Sequence, residues 1–495
     1  MTSAETTTGP IAMTTHGPVR GSAGAAHARF LGIPYASAPV GDLRWAAPQA
    51  PEAWDEVREA TAFGPAAWQP TGGPLDGLVP GMGSDDQGDD CLSLNIWTPA
   101  NDGTKHPVMV WIHGGAFSLG AGSLSAYDGT SLCTRTNTVV VTINYRVGAL
   151  GFLVLDDDTA VANAGILDQI AALRWVCDNI AAFGGDPDNV TIFGESAGGG
   201  SVLSLLSAPS AQGLFHRAIV QSGATDLVLD RDRARLVLEA FARCAGVDPD
   251  DAAALRALTP QQVLAAQAQA SGELFATVGT MPFHPCVDGA VLPFTWQGAA
   301  ETGVSDVPII IGTTRDEMSL FASFDPAAAT LDDAGLRARI AHLGQDPDAL
   351  IAAYAETGTD QPPAVWGRIN TDNAMWFPAL RFINAYCVHS PVWTYRFDWP
   401  AALASLGAPH GVDIPFPFDT IEVGGWDAFI SDPTDAHELA DVIQQLWSSF
   451  ARSGTPTANS IDWPRFDADR RATLILEREV RCVDDPNGAV RRAWR

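Results

Sequence analysis

Six short runs of β-branched and other apolar residues punctuate the chain, most of them ending in small or polar residues: PVMVWIHGG (107–115), NTVVVTINY (137–145), NVTIFGES (189–196), HRAIVQSG (216–223), VPIIIGTT (307–314) and VWTYRFDW (392–399). Each reads as a strand running into a loop. Between the second and third lies AGILDQIAALRWVCDNIAAFGGDP (164–187), where Leu167, Ile170, Leu173, Val176 and Ile180 recur at three- and four-residue spacing. That spacing predicts an amphipathic crossover helix. Strands alternating with helical stretches predict an α/β chain on a large, mostly parallel central sheet flanked by helices.

Two segments break the alternation. Residues 69–88, QPTGGPLDGLVPGMGSDDQG, are rich in Gly, Pro and Asp and read as a long surface loop. From about 228 to 280, stretches such as QQVLAAQAQA look helical and carry no strand signal, which predicts an inserted helical cap above the sheet. No fixed-period repeat or low-complexity linker divides the rest.

Composition narrows the class. A chain of 495 residues can hold two or more domains, but large α/β enzymes also grow by insertion around one sheet. With 46% apolar and 18% charged residues it can build a large core and is not globally disordered. Acidic residues outnumber basic ones 58 to 29, and the formal charge of −29 repels phosphate backbones and anionic membrane surfaces. Nucleic acid and membrane therefore drop out as expected partners. Lys105 is the only lysine, so positive charge is almost all guanidinium and lysine Schiff-base chemistry drops out too. The seven cysteines, at 91, 133, 177, 244, 286, 387 and 482, show no CxxC pair or metal-ligand spacing. They read as reduced, mostly buried thiols, with no metal expected. The amino terminus lacks a basic start followed by an apolar stretch, and no apolar run approaches the ~18 residues that span a bilayer. The expectation is a cytoplasmic, soluble protein.

Chemistry enters at Gly194-Glu195-Ser196-Ala197-Gly198, a G-x-S-x-G placed between the strand NVTIF and the helix-compatible GGGSVLSLLSA. In a nucleophile elbow the serine sits in a strained conformation, and Gly194 and Gly198 are required because a Cβ would collide across the bend. An acyl-transfer serine also needs preformed donors for the tetrahedral oxyanion. His113-Gly114-Gly115-Ala116 follows the strand VMVWI, and the amides of Gly114, Gly115 and Ala197 are the candidates.

FGGDPDNVTIFGESAGG (183–199), GDDCLSLNIWTP (88–99), FLGIPYASAPVGDLRW (30–45), NYRVGALGFL (144–153) and GILDQIAALRWVCDNIAAFGGDP (165–187) together resemble the type-B carboxylesterase and lipase family, which includes cholinesterases and bacterial para-nitrobenzyl esterases. The likeness runs from about residue 9 to beyond WSSFARSGTPTANSIDWPRFD (447–467). It implies an α/β-hydrolase fold over a single domain, 1–495, and a triad in the order serine, glutamate, histidine. The segment TTRDEMSLF is similar to that around the family's glutamate and matches it at Glu317, with Asp316 as the competing carboxylate. Met318 stands where the family usually has glycine, which predicts a less permissive backbone. GAPHGVDIPFPF (407–418) is similar to the family's histidine motif and selects His410 from ten histidines. The resemblance also implies that Glu195 lies near the site and that Ser222 and Asp413 steady the loop, with a purely structural role as the alternative for each.

The resemblance also bears on substrate. Residues 69–90 contain no aromatic that could meet a quaternary ammonium through a cation–π contact, so choline esters are not the expected substrates. Ala67 stands where the family commonly has the cysteine that would pair with Cys91. TMPFHPCVDGAVLP (280–293) resembles the acyl-pocket region and puts Met281 and Phe283 against the acyl chain. The function implied is hydrolysis of short- to medium-chain carboxylic esters through an acyl-enzyme, with no metal or organic cofactor. The alternatives are an amide, carbamate or thioester hydrolase with the same triad, and a non-catalytic binding protein of this fold.

Overall fold

The computed structural model describes residues 9–494 apart from 25, 73–78, 85, 101–102, 156, 158–159, 225–226, 276, 280, 323–324 and 459–460. Residues 73–78 and 85 of the expected surface loop thus lie outside the described residues.

Among the described residues eleven strands form the central sheet: β1 (Ser22–Ala23), β2 (His27–Pro34), β3 (Ser93–Pro99), β4 (His106–Ile112), β5 (Val139–Ile143), β6 (Gly185–Glu195), β7 (Arg217–Gln221), β8 (Ile309–Thr314), β9 (Val392–Phe397), β10 (Ala472–Leu476) and β11 (Arg481–Asp484). Their spatial order is β1-β2-β3-β5-β4-β6-β7-β8-β9-β10-β11. The strands from β5 to β10 run parallel, and antiparallel pairs close both ends: β1 to β3 on one side and β11 on the other. The sheet is therefore mixed at its margins and parallel at its centre.

β4 shows why these sequences make strands. Val108, Val110 and Ile112 enter one core, while Met109 and Trp111 enter the other, so both faces of the strand are covered and its sequence is apolar from Pro107 to Ile112. Helices α1 (Ala164–Asn179) and α2 (Ala197–Ser207) lie in the first core. Strand residues Phe193, Ile219, Ile310 and Trp393 meet the long carboxy-terminal helix Pro433–Ser453 in the second, through Leu439, Ile443, Leu446, Trp447 and Phe450. Each such side chain contributes about 1.5–3 kcal/mol by leaving water.

The expected stripe on α1 is only partly realised. Ile170, Leu173, Val176 and, just past its end, Ile180 are buried, but Leu167 is half-buried and Asp168 and Gln169 are fully enclosed. Arg146, after β5, accounts for the enclosed carboxylate: its Nε and Nη2 each donate to Asp168 at 2.7 Å. Gln169 donates to Ser201 Oγ on α2 at 2.9 Å, so polar tethers occupy positions that a simple amphipathic reading gives to water.

Between β7 and β8 stand α3 (Arg231–Ala245) and α4 (Pro260–Leu274), with a short helix Ala252–Arg256 between them. α4 starts at a reciprocal cap, Thr259 with Gln262, and carries Pro260 in its first turn, where no amide partner is lost. Val237, Leu238, Phe241, Val263 and Ala266 join the same core as α1 and α2.

All seven cysteines are free; Cys91, Cys133 and Cys286 are buried and the other four half-buried, so fewer are enclosed than composition suggests. Among the described residues no helix is long and apolar enough to cross a membrane. Lys105 immediately precedes β4 and pairs with Asp186 near the start of β6, at the end of these parallel strands opposite Ser196.

Candidate active site

The expected functional residues gather at the carboxyl ends of the parallel strands. Ser196 follows β6, the glycine loop follows β4, Glu317 follows β8, and His410 lies in the connection after β9. Open parallel sheets bind ligands at this end.

Ser196 has φ 55° and ψ −123°, a conformation costing a non-glycine residue ~1–3 kcal/mol. Its neighbours explain how the bend is possible. A Cβ on Gly198 would lie 2.0 Å from the Ile112 carbonyl oxygen, and one on Gly194 would lie 2.6 Å from that same atom. The Ser196 amide donates to the Gln221 carbonyl at 2.9 Å, anchoring the elbow to β7. Ser196 also stands at the amino terminus of α2, whose dipole favours negative charge there.

Ser196 Oγ lies 2.8 Å from His410 Nε2, and His410 Nδ1 lies 2.6 Å from Glu317 Oε2. Glu317 is fully buried, and its other oxygen accepts from Ser222 Oγ and from the Thr314 amide, both at 2.7 Å. The structure thus brings Ser196, Glu317 and His410 into one hydrogen-bonded line, with Ser222 steadying the carboxylate.

Asp316 does different work. Its Oδ2 accepts from Arg315 and from the Ala408 amide, at 2.8 and 2.9 Å, and its Oδ1 accepts from Arg368 at 3.2 Å. The Asp316 amide donates back to the Ala408 carbonyl at 2.9 Å, fastening the histidine's loop to the glutamate's. Met318 has no positive φ and lies in the 3-10 turn Glu317–Ser319, so this position does not need glycine. The expected loss of backbone freedom has no consequence here.

Two further buried carboxyls face His410. Glu195 Oε1 lies 3.3 Å from His410 Nε2 and accepts no hydrogen bond from the described residues. Asp413 accepts from Gln221 at 2.9 Å and from Tyr395 at 3.4 Å through one oxygen. Burial pushes the Glu195 carboxyl up to about 8, and the neighbouring Asp413 and Glu317 add to this against the opposing pull of His410. Burial likewise pushes Asp413 up to about 6. For His410 burial acts downward, but the Glu195 and Glu317 carboxylates outweigh it and hold the imidazole up at about 9. Sequence reading placed Glu195 and Asp413 near the site but missed Gln221 and Tyr395, which become neighbours only through sheet pairing.

Gly114 lies against the serine, since a Cβ there would be 3.2 Å from Ser196 Cβ and 2.7 Å from the Glu195 carbonyl oxygen. Gly115, Ala116 and Phe117 follow at φ 106°, 56° and 56°. Among the described residues none accepts a hydrogen bond from the amides of Gly114, Gly115 or Ala197. Backbone donors left without partners beside a hydroxyl are what an oxyanion requires. His113 instead stacks on Tyr145 at 4.4 Å, and burial lowers it to about 4, so it is neutral.

Phe283 is fully buried and meets Phe241 of α3 edge-on at 6.2 Å, while Met281 is half-buried. These packing relations tie Phe283 to the helices after β7; its link to the acyl chain rests on resemblance.

Comparison with known proteins bears on the whole chain. The para-nitrobenzyl esterase of Bacillus subtilis (strain 168) is 38% identical over 493 residues, covering 97% of this chain and 98% of that protein. The phenmedipham hydrolase of Pseudarthrobacter oxydans is 36% identical, with 95% of each chain covered. The crystal structure of a Geobacillus stearothermophilus carboxylesterase superposes with a TM-score of 0.87 at 39% identity, covering 98% of this chain and 100% of that one. With residues 8–491 matching the carboxylesterase family, the chain belongs to that family and is an ester hydrolase of the serine-hydrolase type.

Proposed function

We propose that this enzyme cleaves short- to medium-chain carboxylic esters through an acyl-enzyme on Ser196. The observation that carries the reading is the unbroken line from Ser196 Oγ through His410, at 2.8 and 2.6 Å, to Glu317. His410 takes the serine proton as Oγ attacks the ester carbonyl. The oxyanion is held by the amides of Gly114, Gly115 and Ala197, each donor worth roughly 3 to 4 kcal/mol. The tetrahedral intermediate collapses, the alcohol leaves with the proton from His410, and water repeats the sequence on the acyl-enzyme with His410 again as base. Glu317 orients the ring and stabilises the imidazolium without itself taking the proton. Met281 and Phe283 are assigned to the acyl side, and the substrate is a small-molecule ester. In this reading residues 1–495 form one hydrolase domain with an inserted helical region at about 228–280, and the protein works in the cytoplasm.

The test is hydrolysis of para-nitrophenyl acetate and butyrate. Rapid release of para-nitrophenol, abolished in Ser196→Ala, is expected; undiminished release by that variant would end the proposal.

A further inference from the structure

The loop 113–120, which carries the amides of Gly114 and Gly115, is fastened directly by one side-chain amide and, through the neighbouring turn at Gly148 and Ala149, by a second. Gln69 is 1% exposed and grips Gly120 on both sides of the residue. Its Oε1 accepts from the Gly120 amide at 2.8 Å, while Nε2 donates to the carbonyls of Gly120 and Ala67, both at 3.0 Å. Gly120 lies directly against the glycine turn: a Cβ there would be 2.5 Å from His113 Nδ1 and 2.6 Å from the Gly114 carbonyl oxygen. Gln69 is held in turn, its own amide donating to Gln87 Oε1 at 3.0 Å.

The opposite flank has a similar fastening. The Phe117 carbonyl accepts from the Gly148 amide at 2.6 Å, and the next amide, Ala149, donates at 2.7 Å to Oε1 of Gln267 on α4. Gln267 is 5% exposed.

Such clamps have a physical purpose. Ala116 and Phe117 both have φ 56°, a strain of ~1–3 kcal/mol each that persists only where the surroundings over-determine it. We propose that Gln69 and Gln267 are positioning residues of the oxyanion loop: touching no substrate, they hold the Gly114 and Gly115 amides at the distance from Ser196 that the developing oxyanion needs. The proposal rests on the oxyanion role assigned to this loop.

Two variants test it. Gln69→Glu keeps the shape and the acceptor for the Gly120 amide but loses both donors; Gln267→Leu removes the acceptor for the Ala149 amide. For each, kcat and KM are measured on para-nitrophenyl butyrate, together with the affinity for a trifluoromethyl ketone relative to the matching methyl ketone. The expected result is kcat lower by about 10- to 100-fold with KM within about twofold, because a misplacement of about 1 Å is enough for such losses. The preference for the trifluoromethyl ketone should fall by the same factor, while the acidic limb of the pH–rate profile, which reads His410, stays in place. A kcat that falls with the ketone preference intact, or does not fall, would overturn the proposal and leave the oxyanion assignment standing. A wild-type enzyme that bound the two ketones alike would overturn both. If Gln69→Glu does not fold, Gln267→Leu carries the same test independently.

Discussion

His410 is enclosed by three carboxyl groups, and that crowding sets how its proton behaves. Glu317 makes the 2.6 Å hydrogen bond to Nδ1, but Glu195, 3.3 Å from Nε2, is the charge that adds most to the upward shift. A base held up at about 9 carries a proton at neutral pH, so kcat/KM should climb as pH rises from 6.5 toward 9. Removing the Glu195 charge removes support for the imidazolium. Glu195→Gln should therefore move the acidic limb of the kcat/KM profile to lower pH while Ser196 keeps its reactivity; an unmoved limb would assign the shift to Glu317 alone. Glu195 and Asp413 adjoin recognisable motifs and were legible as neighbours. Their electrostatic effect was not, because it depends on burial and on a 3.3 Å distance no linear pattern encodes.

At the scale of elements, all six apolar runs became strands β4 to β9, with ends moved by a few residues. Strands β3, β10 and β11 left weaker marks. SLNIWTP is buried at every position yet carries Asn95 and Thr98, so neither continuous apolarity nor strict alternation identifies it. β11, RCVD, is an outer strand with half of its residues exposed. α1 was legible as a helix but not as one enclosed around Asp168, since the partner Arg146 lies 22 residues away. That pair joins α1 to the connection after β5, with side chains 3% and 0% exposed. Deleting one member leaves an uncompensated buried charge, so Asp168→Ala should destabilise the fold by about 3–5 kcal/mol in denaturant titration. A loss below about 1 kcal/mol would mean that the site admits water when the carboxylate is gone.

For the molecule as a whole, the charge of −29 and the buried carboxyls act in the same direction. Like charges on one surface repel, and salt screens them over about 8–10 Å at 0.1–0.15 M. Melting temperature should therefore rise with added sodium chloride from low ionic strength; a flat response would show that the arginine ion pairs already neutralise the surface locally. Glu195 has a folded-state pKa raised from 4.5 to about 8, so its contribution to stability is complete below 4.5 and is lost as pH climbs through 8. Thermal unfolding of Glu195→Gln should accordingly depend less steeply on pH than the wild type across this window, and equal slopes would contradict the assigned shift.

The pairing of Lys105 with Asp186 has a practical consequence. A lone ε-amino group, 64% exposed, sits at the start of β4, while Ser196 occupies the far end of the neighbouring parallel strand. Copies joined to an amine-reactive bead through that side chain, at a pH high enough to deprotonate it, would all be held at the same point, with the end of the sheet that carries Ser196 turned away from the support. A carboxyl-directed linker would find many attachment sites and give mixed orientations.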